Sequence, residues 1–335
     1  MRDKALGELI YHTLVANGLD QYEKQLGSGA FGNVFQIKGE GVFDGKELAL
    51  KLIPQDPNYQ CRHAITNSSS AQSNSYGETL SSVTSNYSGS ESFSDRIQTT
   101  WSESSTIDDS SLYSWPSTSS SEVETKTNSI FNTIFTGTWS ISRVTHDGVI
   151  GDGVALNFPS DSSLSFAHGV LLFDGQKVQY VEKIDPDLHQ GNVIVGVISP
   201  AVQGGTLINR ARTLPLDAEA VKGFGKSLAL AIRELHQVGY VHRDLHMNNI
   251  LVLDEKEHSY GLKLIDFGLA GKTSEVSVND DWEDFKGIMG RLQKLSENSL
   301  DPKLKHLLND MTSPLASGIF TYNDEEKLLQ HPYFA

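Results

Sequence analysis

Two short polar motifs, each beside an apolar strand, constrain this 335-residue chain more than any other feature. Residues 240–249 read YVHRDLHMNN, and Asp266-Phe267-Gly268 follows the apolar segment 262–265. Gly268 permits a sharp turn directly after that strand. Phosphoryl transfer asks a protein for charges and amides at fixed separations rather than for covalent chemistry. The two motifs have this character and predict a phosphoryl-transfer site.

Three polar residues of these motifs carry the predicted chemistry. In the pattern His-Arg-Asp-x-x-x-x-Asn, the Asp accepts or orients the proton of an acceptor hydroxyl, and the Asn holds Mg²⁺. These residues are Asp244 and Asn249 in this chain. Asp266 would bridge the metal to the β- and γ-phosphates of a nucleotide. We therefore predict Asp244 as catalytic, and Asn249 and Asp266 as metal ligands.

A glycine-rich segment near the start of the chain predicts a phosphate cradle. Residues 27–34 read GSGAFGNV, and backbone N–H groups without side chains around them can approach phosphate oxygens closely. The alternating strand 47–53 then places Lys51 inside the site, where it can pair the α- and β-phosphates as a second catalytic residue. The predicted ATP-binding residues are Gly27, Ser28, Gly29, Ala30, Phe31, Gly32, Val34, Ala49 and Lys51.

The order of these motifs resembles that of the eukaryotic-type protein kinases, with similarity from Tyr22 to the closing LLQHPYF at residues 328–334. The resemblance implies an α+β, bilobal fold with a β-rich N-lobe and a helical C-lobe. We expect an N-terminal helical extension over residues 1–20, the N-lobe over 21–201 and the C-lobe over 202–335. The resemblance also implies transfer of the ATP γ-phosphate to a protein hydroxyl with Mg²⁺, and it favours Ser/Thr acceptors.

Local patterns predict several elements of the two lobes. Residues 1–20 indicate an amphipathic helix that caps the small lobe, and strands at 22–26, 33–38 and 46–53 form a meander with a turn at Asp44-Gly45. Further strands are predicted at 170–173, 177–181 and 192–198. In the C-lobe, Asp217 caps a helix that runs to about Gln237, with apolar residues at helical spacing and Gly239 after its end.

A serine-, threonine- and asparagine-rich stretch interrupts the N-lobe at about 66–121. Such a stretch cannot bury enough apolar surface to offset ordering, so we expect a disordered insertion. It is either a phosphorylation-rich tether or an inert linker. The insertion falls where kinases carry the helix whose glutamate pairs the strand lysine. Glu122 or Glu124 is the predicted partner of Lys51, with Glu78 as the alternative.

Two departures from the common kinase pattern set this chain apart. His246 stands where many Ser/Thr kinases have a lysine directed at the γ-phosphate, and we assign it as catalytic; its charge depends on pH. The segment from Asp266 to Asp280, taken as the Asp of the next helix, is short and lacks Ala-Pro-Glu. The arginine that would pair with that Glu is also missing between Ser313 and Glu325. This layout resembles haspin-like kinases and translocated bacterial effector kinases.

Two alternative functions remain open from the sequence. The weakly defined helix glutamate would suit a pseudokinase that binds nucleotide as a scaffold, although Lys51, Asp244, Asn249 and Asp266 are all present. A small-molecule kinase, the other alternative, would need an acidic, enclosed acceptor pocket formed by residues beyond Gly271.

Composition bounds the partners and the compartment. A net charge of −15 argues against nucleic acid and favours basic protein substrates, and the hydroxyl-rich insertion makes autophosphorylation an expectation to test. One cysteine, Cys61, fits a reducing compartment, and no apolar run is long enough for a membrane span. We expect a cytoplasmic protein, or alternatively a nuclear one, or one in a host cytoplasm if it is a translocated effector.

Overall fold

The computed structural model describes residues 2–29, 32–53, 142–202, 204–213, 216–253, 260–274, 276–296, 301–317 and 322–335. These residues form an N-terminal lobe built on an antiparallel sheet and a C-terminal lobe built mainly of helices. The predicted insertion at 66–121 lies outside the described residues. So do Ala30 and Phe31 of the glycine-rich segment, and all three glutamates proposed as partners of Lys51.

The N-lobe sheet has β3 (Glu47–Leu52) and β8 (Val193–Pro200) at its centre. Strands β1 (Gln21–Gly29) and β2 (Gly32–Lys38) lie on one side, and β6 (Gly169–Phe173) and β7 (Val178–Val181) lie on the other. β3 pairs with β8 in antiparallel register, with Lys51 opposite Val197. The predicted meander is confirmed, and so are the strands predicted at 170–173 and 177–181, which pair as β6 and β7. The strands are β1 (Gln21–Gly29), β2 (Gly32–Lys38), β3 (Glu47–Leu52), β4 (Arg143–Thr145), β5 (Gly148–Ile150), β6 (Gly169–Phe173), β7 (Val178–Val181) and β8 (Val193–Pro200).

Helix α1 (Arg2–Ala16) covers one face of this sheet, which confirms the predicted cap on the small lobe. Its buried residues Leu6, Ile10 and Leu14 belong to one cluster with Leu48 and Leu50 of β3. Strand residues alternate between the two faces, so β3 presents its leucines to α1 and Ala49 and Lys51 to the opposite face. Burial of this outer face leaves the other face to form the roof of a cleft.

The C-lobe is a helical layer that carries short strand pairs near the cleft. Its helices pack around a core with buried Phe224, Trp282 and Phe285. The pairs β10–β11 and β9–β12 hold the two polar motifs of the sequence next to each other. Chain order is α2 (Pro186–His189, in the N-lobe before β8), α3 (Leu207–Thr213), α4 (Ala218–Gln237), β9 (Tyr240–Val241), β10 (Ile250–Val252), β11 (Leu262–Leu264), β12 (Gly271–Lys272), α5 (Asn279–Leu295), α6 (Pro302–Ala316) and α7 (Tyr322–Leu329).

Helix α4 forms as the sequence predicts. The side chain of Asp217 accepts a hydrogen bond from the amide of Ala220 at 2.7 Å, which satisfies one of the N–H groups left unpaired at a helix start. Its apolar side is buried in the core of the lobe. Gly239 adopts φ +88° after the last turn, a conformation that costs glycine little, and the chain turns there into β9.

Among the helices of the described residues, none combines the length and the apolar character needed to cross a membrane.

Candidate active site

Lys51 is the centre of the ion pairs in the cleft between the lobes. Its Nζ lies 2.7 Å from Oδ1 of Asp152 and 2.6 Å from Oδ1 of Asp266. Val34 of the glycine-rich hairpin pairs with Lys51 in the register of β2 and β3, so both side chains project from the same face. The structure thus brings the predicted lysine and the predicted metal-binding aspartate together under the hairpin.

Asp152 is a site residue that sequence reasoning missed. It lies in a 3₁₀ helix, Gly151–Asn157, directly after the β4–β5 hairpin, and it is buried. Within the described part of the chain, the carboxylates hydrogen-bonded to Lys51 are Asp152 and Asp266. In the sequence, Asp152 is a single acid between two glycines after an apolar strand. This pattern has no helical periodicity. A search for a helix glutamate therefore passed over it.

Asn249 and Asp244 are held together in the loop after β9. Nδ2 of Asn249 donates to the backbone oxygen of Asp244 at 2.9 Å and to its Oδ2 at 3.2 Å. Both partners are acceptors, which fixes the orientation of the amide group. Oδ1 of Asn249 is consequently turned away from Asp244, as a metal ligand requires.

His242 connects the two polar motifs through hydrogen bonds. Its Nε2 donates to the backbone oxygen of Ile265, the residue before Asp266, at 2.9 Å. Burial lowers the pKa of His242, which favours the neutral ring with its proton on Nε2. Arg243 and Asp266 both have positive φ, at +66° and +63°, which is strained for residues other than glycine. These two strained residues directly follow His242 and Ile265, the partners of that hydrogen bond.

Asp281 anchors the backbone of the catalytic loop. Its Oδ2 accepts from the amide of His242 and its Oδ1 from the amide of Arg243, both at 2.8 Å. The sequence analysis took Asp280 as the Asp of this helix and assigned no contact to it; in the structure the loop amides donate to the next residue, Asp281. Asp280 instead lies near Arg243, whose charge opposes the rise in the pKa of Asp280 that burial and Asp281 cause.

A buried histidine and a second acid complete the support of the loop. Nε2 of His236, in the last turn of α4, is 2.9 Å from Oδ2 of Asp281, and its Nδ1 is 2.7 Å from Oε1 of Glu325. Glu325 also accepts from Nε1 of Trp282 at 3.1 Å. Burial alone would lower the pKa of His236, but the hydrogen bonds to Asp281 and Glu325 outweigh it and raise the pKa to about 9. His236 is therefore an imidazolium between two carboxylates.

His246 lies beside Asp244 with its Nε2 3.8 Å from Oδ2 of that carboxylate. The amide of Asn248 contacts its Nδ1 at 3.3 Å, so the neutral ring carries its proton on Nε2. Burial, together with the nearby His242, lowers the pKa of His246. The residue consequently offers an uncharged N–H donor at the site, unlike the lysine of many kinases.

Crowded carboxylates dominate the electrostatics of the catalytic loop. Burial and the charge of Asp266 raise the pKa of Asp244 to about 7. Asp284, which accepts from the amide of Leu245 at 3.1 Å, also has a pKa raised to about 7, by burial and by Asp281. Burial opposes ionisation of Asp266 as well, but the Lys51 ammonium prevails and holds its pKa below the ordinary value. The site is rich in negative charge that a cation would stabilise.

The described part of the glycine-rich hairpin places backbone over this charged cluster. Gly29 pairs with Gly32 across the tip, and Gly27 pairs with Val34. Among the described residues, none has an atom within 4 Å of the position that a Cβ would take at Gly27, so the backbone there leaves room for a ligand. Ala49 pairs with Ser199 of β8, so the end of β8 lies next to the strand that carries Lys51.

The comparison with known families identifies the fold. A family model described as the protein kinase domain matches residues 187–287, which run from α2 in the N-lobe through the catalytic loop and into α5. The fold is that of a protein kinase. The β-sheet N-lobe and the helical C-lobe confirm the predicted α+β, bilobal class.

Curated relatives support the same superfamily, the eukaryotic-type protein kinases. Death-associated protein kinase 2 from Homo sapiens is 30% identical over 137 residues, which cover 41% of this chain and 35% of that protein. Serine/threonine-protein kinase AfsK from Streptomyces coelicolor is 38% identical over 64 residues, or 19% of this chain and 7% of that protein. Citron rho-interacting kinase from Rattus norvegicus is 39% identical over 74 residues, which cover 22% of this chain and 3% of that protein. The chain therefore spans well under two thirds of these relatives.

A histidine cluster lies away from the cleft, on α6 and the C-terminal segment. Nδ1 of His306 is 3.0 Å from Nε2 of His331 and 3.1 Å from Oδ2 of Asp310. The amide of Tyr333 donates to Nδ1 of His331, so Nε2 of the neutral ring carries the proton. A metal ligand would need that proton on Nδ1, facing the amide. Nε2 of His331 can then donate to Nδ1 of His306.

Proposed function

We propose that this chain is a protein kinase that transfers the γ-phosphate of ATP, with Mg²⁺, to Ser or Thr hydroxyls of a protein. The observation that carries the proposal is the convergence of Lys51, Asp266, Asp244 and Asn249 beneath a glycine-rich hairpin. Family and relatives support kinase chemistry, and a protein kinase domain is the family that matches.

The residues present fit a nucleotide with its metal. Asp266 and Asn249 supply the oxygen ligands that Mg²⁺ prefers, and the open backbone at Gly27 suits phosphate oxygens. The Lys51 ammonium is the cation for the α- and β-phosphates. When bound, the metal would neutralise charge that develops on the phosphates.

Side chains of the catalytic loop and its supports would position the acceptor hydroxyl and take up its proton. Asp244 would orient the acceptor hydroxyl and accept its proton, and Asn249 fixes the rotamer of that carboxylate through its Nδ2. Neutral His246 would donate its Nε2–H in the space beside Asp244. His242 and Asp281 hold the loop so that these groups keep their positions during the reaction.

The acceptor is proposed to be a protein with basic character. The exposed acids Asp280 and Glu283 lie in the first two turns of helix α5, next to the catalytic loop, and the chain carries a net charge of −15. The short segment between Asp266 and α5 is tied down by the β9–β12 pair. This layout supports an atypical kinase with a reduced activation segment, similar to the haspin-like or bacterial effector kinases.

Phosphate transfer from γ-labelled ATP tests the proposal. Purified wild-type protein and Asp244→Asn would each be incubated with Mg²⁺, a panel of basic proteins and a panel of amino-sugar and choline-like acceptors. We expect label on Ser or Thr of protein in the wild type and none in the variant. Label on a small acceptor would reassign the protein to small-molecule kinases, and nucleotide binding without any transfer would make it a pseudokinase.

A further inference from the structure

We propose that Asp152 is the positioning residue for Lys51, and that it takes the place of the helix glutamate expected from kinase sequences. This inference rests on the proposed function, because Lys51 matters to catalysis only if a nucleotide binds beneath the glycine-rich hairpin. It adds to that function by assigning the lysine partner to a turn that is part of the folded N-lobe.

The first observation is the burial of the ion pair. The side chain of Lys51 is 13% exposed and that of Asp152 is 4% exposed, with Nζ and Oδ1 2.7 Å apart. A buried charge without a partner is costly, so this pair stabilises both side chains. Within the described part of the chain, Asp152 and Asp266 are the two carboxylates that hold the Lys51 ammonium in the cleft.

The second observation is that Asp152 is held from two sides. Its amide donates to Oγ of Ser142 at 2.9 Å, and the same Oγ lies 3.4 Å from its Oδ2. The backbone oxygen of Ser142 in turn accepts from the amide of Ile194 in β8 at 3.0 Å. The carboxylate is therefore fixed relative to the central strand of the sheet, next to the strand that carries Lys51.

The third observation is the pair of glycines that flank Asp152. Gly151 has φ +70°, and a Cβ there would lie 2.4 Å from Oγ of Ser142. A Cβ at Gly153 would lie 2.1 Å from Cδ1 of Ile194. Both positions exclude larger residues, because the backbone must pass close to its neighbours to deliver Asp152. The sequence Gly-Asp-Gly is thus required by the geometry of this turn.

The fourth observation separates the roles of the two carboxylates at Lys51. Phe267, next to Asp266, packs edge-on against Phe158 with ring centroids 4.9 Å apart, and Phe158 directly follows the 3₁₀ helix that carries Asp152. This contact connects the segment that carries Asp152 to the segment that carries Asp266. Asp266 is the carboxylate assigned to the metal, so Asp152 is the one that remains with Lys51 when a nucleotide is bound.

The test compares Asp152→Asn with Asp147→Asn, which changes an exposed acid on the neighbouring β4–β5 turn whose Oδ1 lies 3.2 Å from Nδ1 of the adjacent His146. One readout is the affinity for a fluorescent ATP analogue with Mg²⁺. The other is the rate at which an amine-reactive acyl ester labels Lys51 without nucleotide, mapped by mass spectrometry.

We expect Asp152→Asn to weaken nucleotide binding by about 10-fold to 100-fold, the range for a lost charge-assisted hydrogen bond. Labelling of Lys51 should accelerate measurably, because the amine loses one of its two carboxylate partners and keeps Asp266. Asp147→Asn should stay within about twofold of wild type in both readouts. Equal thermal midpoints for the two variants would exclude a general loss of structure.

Unchanged labelling and unchanged nucleotide affinity in Asp152→Asn would overturn the proposal. It would also be overturned if Glu78→Gln, Glu122→Gln or Glu124→Gln produced the loss instead. A wild type that binds no nucleotide would reject the proposed function, and the labelling rates would still report separately on the ion pair. If Asp152→Asn does not fold, Ser142→Ala leaves both charges in place and should accelerate labelling by a smaller factor; no acceleration there would contradict the role of the turn.

Discussion

Oδ2 of Asp281 lies 2.9 Å from Nε2 of His236, so a buried imidazolium is the counter-ion of the acid that anchors the catalytic loop. The same carboxylate accepts the backbone amides of His242 and Arg243. Glu325 holds the other ring nitrogen of His236 from helix α7. The charged ring of His236 on α4 thus contacts Asp281 in the first turn of α5 and Glu325 in helix α7. Through Asp281 it is also linked to the loop that carries Asp244.

The charge on His236 predicts a pH dependence of stability. Because its pKa is raised from 6.5 to about 9 in the folded protein, its stabilisation is complete below the unfolded value and is lost as the pH rises through about 9. The stability advantage of wild type over His236→Gln should therefore fall by up to about 3 kcal/mol between neutral and strongly alkaline pH. Urea unfolding at several pH values measures it.

The control for that experiment is His146→Gln, which removes an exposed histidine beside Asp147. Its stability should follow that of the wild type at every pH. A gap between wild type and His236→Gln that stays constant from pH 6 upward would show that His236 is neutral in the folded protein.

Asp281 and Asp280 should differ sharply although they are neighbours. Asp281→Asn leaves the His236 charge with one partner fewer and disturbs the two loop amides, so we expect a loss of about 3–5 kcal/mol in unfolding free energy. Asp280→Asn removes a partly exposed acid whose ionisation is already opposed by burial and Asp281, and should cost about 1 kcal/mol or less. Denaturant midpoints at neutral pH measure both losses, and equal losses would contradict the different roles of the two acids.

Two helix glycines should respond to alanine with opposite signs. Gly287 in α5 is exposed and has nothing within 4 Å of its Cβ position, so Gly287→Ala should stabilise the protein by about 0.5–1 kcal/mol through helix propensity. At Gly223 in α4 the added Cβ would lie 2.2 Å from Cδ2 of the Tyr260 ring, and Gly223→Ala should destabilise by about 1–3 kcal/mol. Thermal unfolding of both variants checks the pair; a stabilising Gly223→Ala would mean that Tyr260 moves freely.

Asp244 and Asp266 should separate catalysis from nucleotide binding. We expect Asp244→Ala and Asp266→Ala each to lower phosphate transfer by at least about 10²-fold, because both charges act mainly on the transition state. Only Asp266→Ala should also lower the affinity for the nucleotide in a Mg²⁺-dependent manner, since Asp266 is the proposed metal ligand. Titration of an ATP analogue with and without Mg²⁺ measures this, and equal losses of affinity in both variants would contradict the assignment.

The elements that the sequence predicted well have local causes. The cap at Asp217, the apolar repeat of α4 and Gly239 after its end lie within a few turns of one another, so their pattern is readable without the fold. The strand that carries Lys51 and the meander around it follow in the same way from alternation and turn residues. The bilobal class was predictable because the motifs occur along the chain in an order that resembles the protein kinases.

The site residues that the sequence did not reveal are those whose partners are remote. Asp152 lies 101 positions from Lys51, and nothing in its surroundings distinguishes it from other acids in a turn. The choice between Asp280 and Asp281 depends on the rotation of α5 relative to the loop, which packing of Trp282 and Phe285 sets. The rotation of α5 cannot be predicted from a local sequence pattern.

The sequence by itself determined the motif order, the helices and strands around it, and the residue types available for phosphoryl transfer. Tertiary structure decided which carboxylate meets Lys51, which acid receives the loop amides, and that His236 is charged. The reason is physical: periodicity and turn preference act between neighbours in the chain, whereas a buried charge selects its partner by distance in the folded molecule.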